Sequence, residues 1–210
     1  MAEKFQVVGV DEQKVDAYQL ITGKPVFAGD LSLPGTLHVA LLTSPHPHAR
    51  ITSIDTSRAE ALEGVVAVLD HRNTPATRYT TAGQGYPEPS PYDARMFDTK
   101  VRFVGYRVAA VAAESKAIAE EALGLIDVSY EMLPAVLSID EALADGAPVI
   151  HDEDDSTGVW DAAGNVAAAV DVAVGDVDEG FAASDVVVET TIETQYAQHA
   201  PLEPHIVQSY

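Results

Sequence analysis

Apolar positions along the chain fall into short runs separated by Pro- and Gly-rich punctuation, and the runs have two different periods. Leu37–Thr43 (LHVALLT) is continuous, bounded by Pro34-Gly35 and Pro45, and predicts a buried strand. Arg50–Asp55 alternates and predicts a strand with one exposed face, or a strand end. Ser57–Leu62 has helical spacing, a cap at Thr56 or Ser57, Glu60 near the third helical position and Gly64 as a stop. Val65–Leu69 (VVAVL) is a second buried strand. Val101–Ala113 holds two β-like runs around Gly105, which predicts a hairpin or bulge there. Ser115 opens an amphipathic helix with Ala117, Ile118, Ala122, Leu123 and Leu125 on its apolar side. Ile126–Tyr130 returns as a strand that Leu133-Pro134 ends.

The rest of the pattern is looser. Residues 1–30 read as an irregular arm with a turn at Gly23–Pro25, and residues 71–99 as a long surface loop rich in Pro, Gly, Thr and Tyr. Beyond Val136, Ser138–Leu143 predicts a short capped helix and His151–Asn165 an exposed acidic linker. Val166–Val174 is a strand candidate, and Gly175-Asp176 leads into a short helix, Val177–Ala183. Asp185–Thr194 alternates (VVVETTIET) and predicts a long strand. The order of elements fits an α+β domain ending near Val136.

Composition narrows the function. The net charge of −21 argues against nucleic acid, whose phosphates demand clustered Lys and Arg. All 12 basic residues lie at or before Lys116, so residues 117–210 carry unbalanced acids. Those acids read as a solvated surface, a docking face for a basic partner, or an adaptation to salt. Zero cysteines exclude disulfides, thiolate metal sites and cysteine nucleophiles within the segment, and fit a cytoplasmic protein. No apolar run approaches the roughly 20 residues of a membrane span, and the N-terminus lacks a secretory pattern.

Local chemistry is sparse. Pro45-His46-Pro47-His48 sets two imidazoles at i and i+2, a possible metal pair without an evident third ligand. Asp152–Asp155 (DEDD) fails the calcium-loop spacing and reads as solvated linker. Gly83-Gln84-Gly85 resembles a phosphate loop only in its glycines. The terminal stretch QYAQHAPLEPHIVQSY gathers Gln195, Gln198, His199, Glu203 and His205 behind an apolar run, as residues facing a site do. His199 and Glu203 are spaced i, i+4, but Pro201 and Pro204 oppose a helix. The expectation is that residues beyond this chain complete that site.

Longer motifs say more. TGKPVFAGD, LPGTLHVALLTSPHPHARITSID, GVVAVLD, VRFVGYRVAAVAAES and AIAEEALGLIDVSYEMLPAV are followed by GNVA, GDVDEGFAASDVVVE and QHAPLEPH. In that order they resemble the start of the large, molybdopterin-binding subunit of the xanthine dehydrogenase and aldehyde oxidase family. The resemblance implies an N-terminal arm at 1–15, an α/β hammerhead domain at 16–136 and a linker at 137–165. Residues 166–210 would be the opening strands of the first molybdopterin-binding domain. It also implies hydroxylation of an N-heterocycle, aldehyde or related small molecule with water as oxygen source. A molybdenum–molybdopterin cofactor would be completed by the remainder of the large subunit, with [2Fe–2S] clusters and FAD on other domains or subunits. This segment would be inactive by itself. Gln198, His199 and Glu203 would lie near the molybdenum. Xanthine dehydrogenases carry glutamine two residues before the histidine that His199 matches; here that position is Ala197, with Gln198 one residue later. Two other readings stand beside this one: a stand-alone hammerhead binding or assembly module without cofactor, and a metal hydrolase using His46 and His48.

Overall fold

The computed structural model describes residues 8–9, 11–81 and 91–209. They divide into two compact units: residues 37–189, and a second unit that joins residues up to 36 with those from 190 onward.

The larger unit is built on two three-stranded antiparallel sheets. Strands β1 (His38–Thr43), β5 (Arg107–Ala113) and β3 (Val65–Leu69) form one, in the order β1-β5-β3. Strands β4 (Lys100–Val101), β2 (Ala49–Asp55) and β6 (Asp127–Met132) form the other, in the order β4-β2-β6. Helix α2 (Ser57–Glu60) links β2 to β3, and α3 (Lys116–Leu123) links β5 to β6. This is the mixed α+β fold that the patterning predicts. One correction concerns pairing. Val101 and Arg107 flank a turn at Gly105 (φ +92°), but β4 and β5 enter different sheets and make no hairpin. Strand β2 keeps the exposed face its alternation predicts and is the centre of its sheet, paired on both edges.

Burial accounts for this arrangement. Val108, Ala109, Val111 and Ala113 of β5 are fully buried, and Val111 pairs with Ala40 on one side and Val68 on the other. Each buried valine contributes roughly 1.5–3 kcal/mol. The alanines keep β5 thin, so α3 packs closely on it through Ala119 and Ala122, also fully buried. The same apolar cluster takes in Ile51, Ile54, Val101 and Ile126, which ties the second sheet to the first. Ser115 caps α3, its hydroxyl accepting the Ile118 amide at 3.3 Å.

Ser138 and Asp176 cap α4 (Ile139–Leu143) and α5 (Val177–Ala182) in the same manner. The strands expected at Val166–Val174 and Asp185–Thr194 are absent among the described residues, apart from a single bridge between Asp161 and Val166. Val172, Val186, Val188 and Ile192 are all more than 70% exposed. An alternating run becomes a strand only when another backbone satisfies its edge, and here none does.

In the second unit, the expected irregular arm contains a short helix, α1 (Ala17–Ile21), and a 3₁₀ turn at Ala28–Asp30. The Gln208 side-chain amide donates to the carbonyls of Ala28 and Leu31 at 3.0 and 2.8 Å. No described helix is long and apolar enough to cross a membrane.

Candidate functional site

Three places carry the residues that the sequence marks out. The first is Ser44–His48. Ser44 is buried, and its hydroxyl accepts the His46 amide at 3.0 Å, making a tight turn. The His46 ring meets Tyr130 edge-on at 4.8 Å between centroids. His48 is 5% exposed, and its Nδ1 lies 2.6 Å from the Pro134 carbonyl, to which it donates. That bond and the one from the Leu133 amide to the His48 carbonyl lock β2 to the end of β6. The two imidazoles thus serve the turn and the sheet. No group of three His, Cys, Asp or Glu side chains suited to a metal exists among the described residues.

The second place is the terminal segment. Gln198, His199 and Glu203 lie on irregular, exposed backbone, with Ala200 in the left-handed region (φ 44°). They share the smaller unit with the 17–31 segment. No Lys or Arg occurs beyond position 116, so this stretch offers no cation to a pterin phosphate.

The third place is one that the sequence reads as solvated linker. Asp152–Asp155, expected as solvated linker, lies along a cleft of about 250 Å³ lined by Arg50, Arg78, Arg95, Lys100 and Arg102. Asp152 receives Arg50 Nη2 at 2.5 Å and Lys100 Nζ at 2.7 Å. Glu153 receives Arg102 Nη2 at 2.7 Å. Asp155 receives Arg78 Nε at 2.6 Å and is also bound by Arg95. Asp98 sits beneath, 3.0 Å from Arg102 Nη1. The side chains of Arg78, Lys100, Arg102 and Asp98 are all under 10% exposed, so these are desolvated charges.

Electrostatics follow the contacts. Burial pushes the Glu153 carboxyl up, but His151, Arg102 and backbone amides outweigh it and hold it far below the ordinary range. Asp152 is likewise lowered, burial being outweighed by the Lys100 ammonium. Asp155 is lowered chiefly by its hydrogen bond from Arg95. The arrangement is an ion-paired clasp whose acids have their bases in the same chain. The signal in the sequence was the charge segregation itself. Its cations come from β2, β4, the position just after β4 and the 71–99 loop, where Tyr79 and Ala94 form a bridge, so no local spacing could reveal them. The Gly83-Gln84-Gly85 tripeptide lies outside the described residues.

Comparison with known proteins completes the picture. Residues 22–134 match the aldehyde oxidase and xanthine dehydrogenase a/b hammerhead domain, more than half of the chain. The chain belongs to the aldehyde oxidase and xanthine dehydrogenase family. Residues 159–210 match the molybdopterin cofactor-binding domain. A probable hypoxanthine oxidase of Escherichia coli K12 is 43% identical over 97% of this chain. The large molybdopterin subunit of nicotinate dehydrogenase from Eubacterium barkeri is 34% identical over all of it. Among solved structures, the Cu,Mo-CO dehydrogenase in its carbon monoxide reduced state superposes with a TM-score of 0.60 and 33% identity. That match covers 73% of this chain and 19% of that one. The chain spans 24% of the E. coli relative and 46% of the E. barkeri one. It therefore corresponds to part of a molybdenum hydroxylase large subunit, a molybdopterin-dependent oxidoreductase family.

Proposed function

We propose that this chain supplies the hammerhead domain, residues 16–136, and the first edge of the molybdopterin-binding domain, residues 166–210, in a molybdenum hydroxylase that oxidises an N-heteroaromatic substrate with water as oxygen source. Residues 137–165 connect the two. The observation that carries this reading is the order of the two family matches, hammerhead then molybdopterin domain, across nearly the whole chain. The named substrates of two relatives, hypoxanthine and nicotinate, support a ring nitrogen beside the oxidised carbon. Electrons would leave through [2Fe–2S] clusters and FAD carried by other domains or subunits, since this segment has no cysteine for a cluster. The setting would be cytoplasmic.

Gln198, His199 and Glu203 are proposed to border the cofactor rather than to grip it. Their side chains can donate and accept hydrogen bonds, which suits orienting a bound group or substrate. Ala197 stands where xanthine dehydrogenases carry glutamine, and Gln198 follows it: either the register slips locally or the substrate class differs from xanthine.

The test is purification of the full-length chain with its partner subunits. Metal analysis and oxidation of purines, nicotinate, quinoline and aldehydes in ¹⁸O-water would follow. The expected result is bound molybdenum and ¹⁸O in the product of an N-heteroaromatic substrate. Gln198→Ala, with molybdenum retained, is expected to lower turnover on the order of tenfold or more. Molybdenum-free protein from cells replete in the metal would overturn the reading. A cofactor-free, partner-binding protein would then favour the assembly-module alternative.

A further inference from the structure

The clasp has a physical asymmetry. On the cleft side stand five cations, Arg50, Arg78, Arg95, Lys100 and Arg102, with Asp98 among them. On the strap side stand Asp152, Glu153 and Asp155. Buried cations without their partners are unstable, because desolvation exceeds what a lone Asp98 returns. In the structure the strap is seated and its charges are paired. A withdrawn strap would require water to enter among the cations. Intermediate states leave charge both buried and unpaired.

Further hydrogen bonds fix both ends of the strap. The Lys100 ammonium also donates to the Ile150 and Val149 carbonyls, at 2.7 and 3.3 Å. Asn165, itself left-handed at φ 57°, accepts the Ile150 amide at 2.9 Å and donates to the Ala142 and Pro148 carbonyls at 3.0 and 3.1 Å. At the far end, Thr157 and Tyr92 exchange backbone hydrogen bonds. Asp161 and Val166 close a small bridge just beyond.

We propose that residues 150–157 are an electrostatic latch that seats as a unit on the folded hammerhead and releases with rising ionic strength while both sheets stay intact. The core of β1–β5–β3 and α3 is apolar and contributes no charge to the latch, so the two parts respond differently to salt. This goes beyond the proposed activity and does not depend on it. It concerns how the segment entering the molybdopterin-domain match is fastened.

Hydrogen exchange of the full-length chain tests it. The readouts are the Thr157 and Tyr92 amides, each bonded to the other's carbonyl where the strap meets the hammerhead, with the β5 amides as reference. Combined neutralisation by Asp152→Asn, Glu153→Gln and Asp155→Asn is expected to speed exchange at both amides about tenfold or more, with β5 unchanged. Raising NaCl to about 1 M is expected to act in the same direction in the native chain, through the more open pairs of Asp152 and Asp155 and by less than the substitutions, and to add little in the variant. Asp154→Asn is the control, since Asp154 has no ion-pair partner among the described residues, and it is expected to change nothing. Thr157 and Tyr92 amides that stay protected in the variant and in high salt overturn the latch. So does a rise in β5 exchange that matches the strap in the salt series, and that series decides the matter if the triple variant does not fold.

Discussion

Strand β5 and the run Val186–Glu193 both carry a strand signal in sequence, a continuous Ala- and Val-rich run in the first and alternating β-branched residues in the second. Their fates are opposite. β5 is paired on both edges and buried on both faces, whereas Val186, Val187 and Val188 are exposed and unpaired among the described residues. The difference lies in the neighbours. β5 has β1 and β3 to complete its hydrogen bonds and α3 to cover it. The later run has neither among the described residues. A pattern can specify what a segment would bury, but a strand exists only as a member of a sheet.

The sharpest way to break the comparison is to place the same charge in both runs. Val111→Asp buries an uncompensated carboxylate at 0% exposure and is expected to cost on the order of 4 kcal/mol or more. Val188→Asp, at a position 81% exposed, is expected to change stability by less than about 0.5 kcal/mol. Chemical denaturation of the two variants compares them directly. Equal losses would show that residues 186–193 are packed as firmly as β5.

Acid sharpens the contrast next. Glu153, Asp152 and the buried Asp70 all sit below their ordinary values, Asp70 because the Arg72 guanidinium outweighs the effect of burial. A depressed carboxyl contributes stability that is complete above its unfolded value and fades as pH falls towards the folded one. The melting temperature of the larger unit is therefore expected to hold through neutral pH and drop below about pH 4. Glu153→Gln should melt lower than the native chain at pH 7 and converge with it at low pH. Parallel curves for the two proteins would contradict the clasp.

The smallest expected effect separates two caps with the same geometry. Ser115→Ala removes the cap of α3, which is packed on the core, and is expected to lower global stability by about 1 kcal/mol. Asp176→Ala removes an equivalent cap from α5, where no residue is buried. It is expected to fray that helix in circular dichroism and leave the unfolding midpoint of the sheets in place.

Much of the hammerhead was legible before any coordinates. Strands β1, β3 and β6, helix α3 and the caps at Ser115 and Ser138 all follow from local signals: runs bounded by Pro and Gly, helical spacing, and a hydroxyl three residues before an amide. Sheet membership was not legible, because β4 and β5 are adjacent in sequence and the turn at Gly105 suits a hairpin as well as a change of sheet. The clasp was hidden for the same reason: Arg78 and Asp155 are 77 positions apart. The terminal cluster at Gln198, His199 and Glu203 remains known by its residues and its family resemblance, since its own backbone leaves all three exposed.

By itself the sequence determined the local elements, the family and the segregation of charge that puts every cation at or before Lys116. These are short-range or compositional properties, written in neighbouring residues. Only the tertiary structure decided that the acidic strap folds back onto those cations, that β4 and β5 part company, and that the late valine runs find no strand partner among the described residues. Ion pairing, desolvation and strand pairing depend on which distant groups meet, and that is settled when the chain closes on itself.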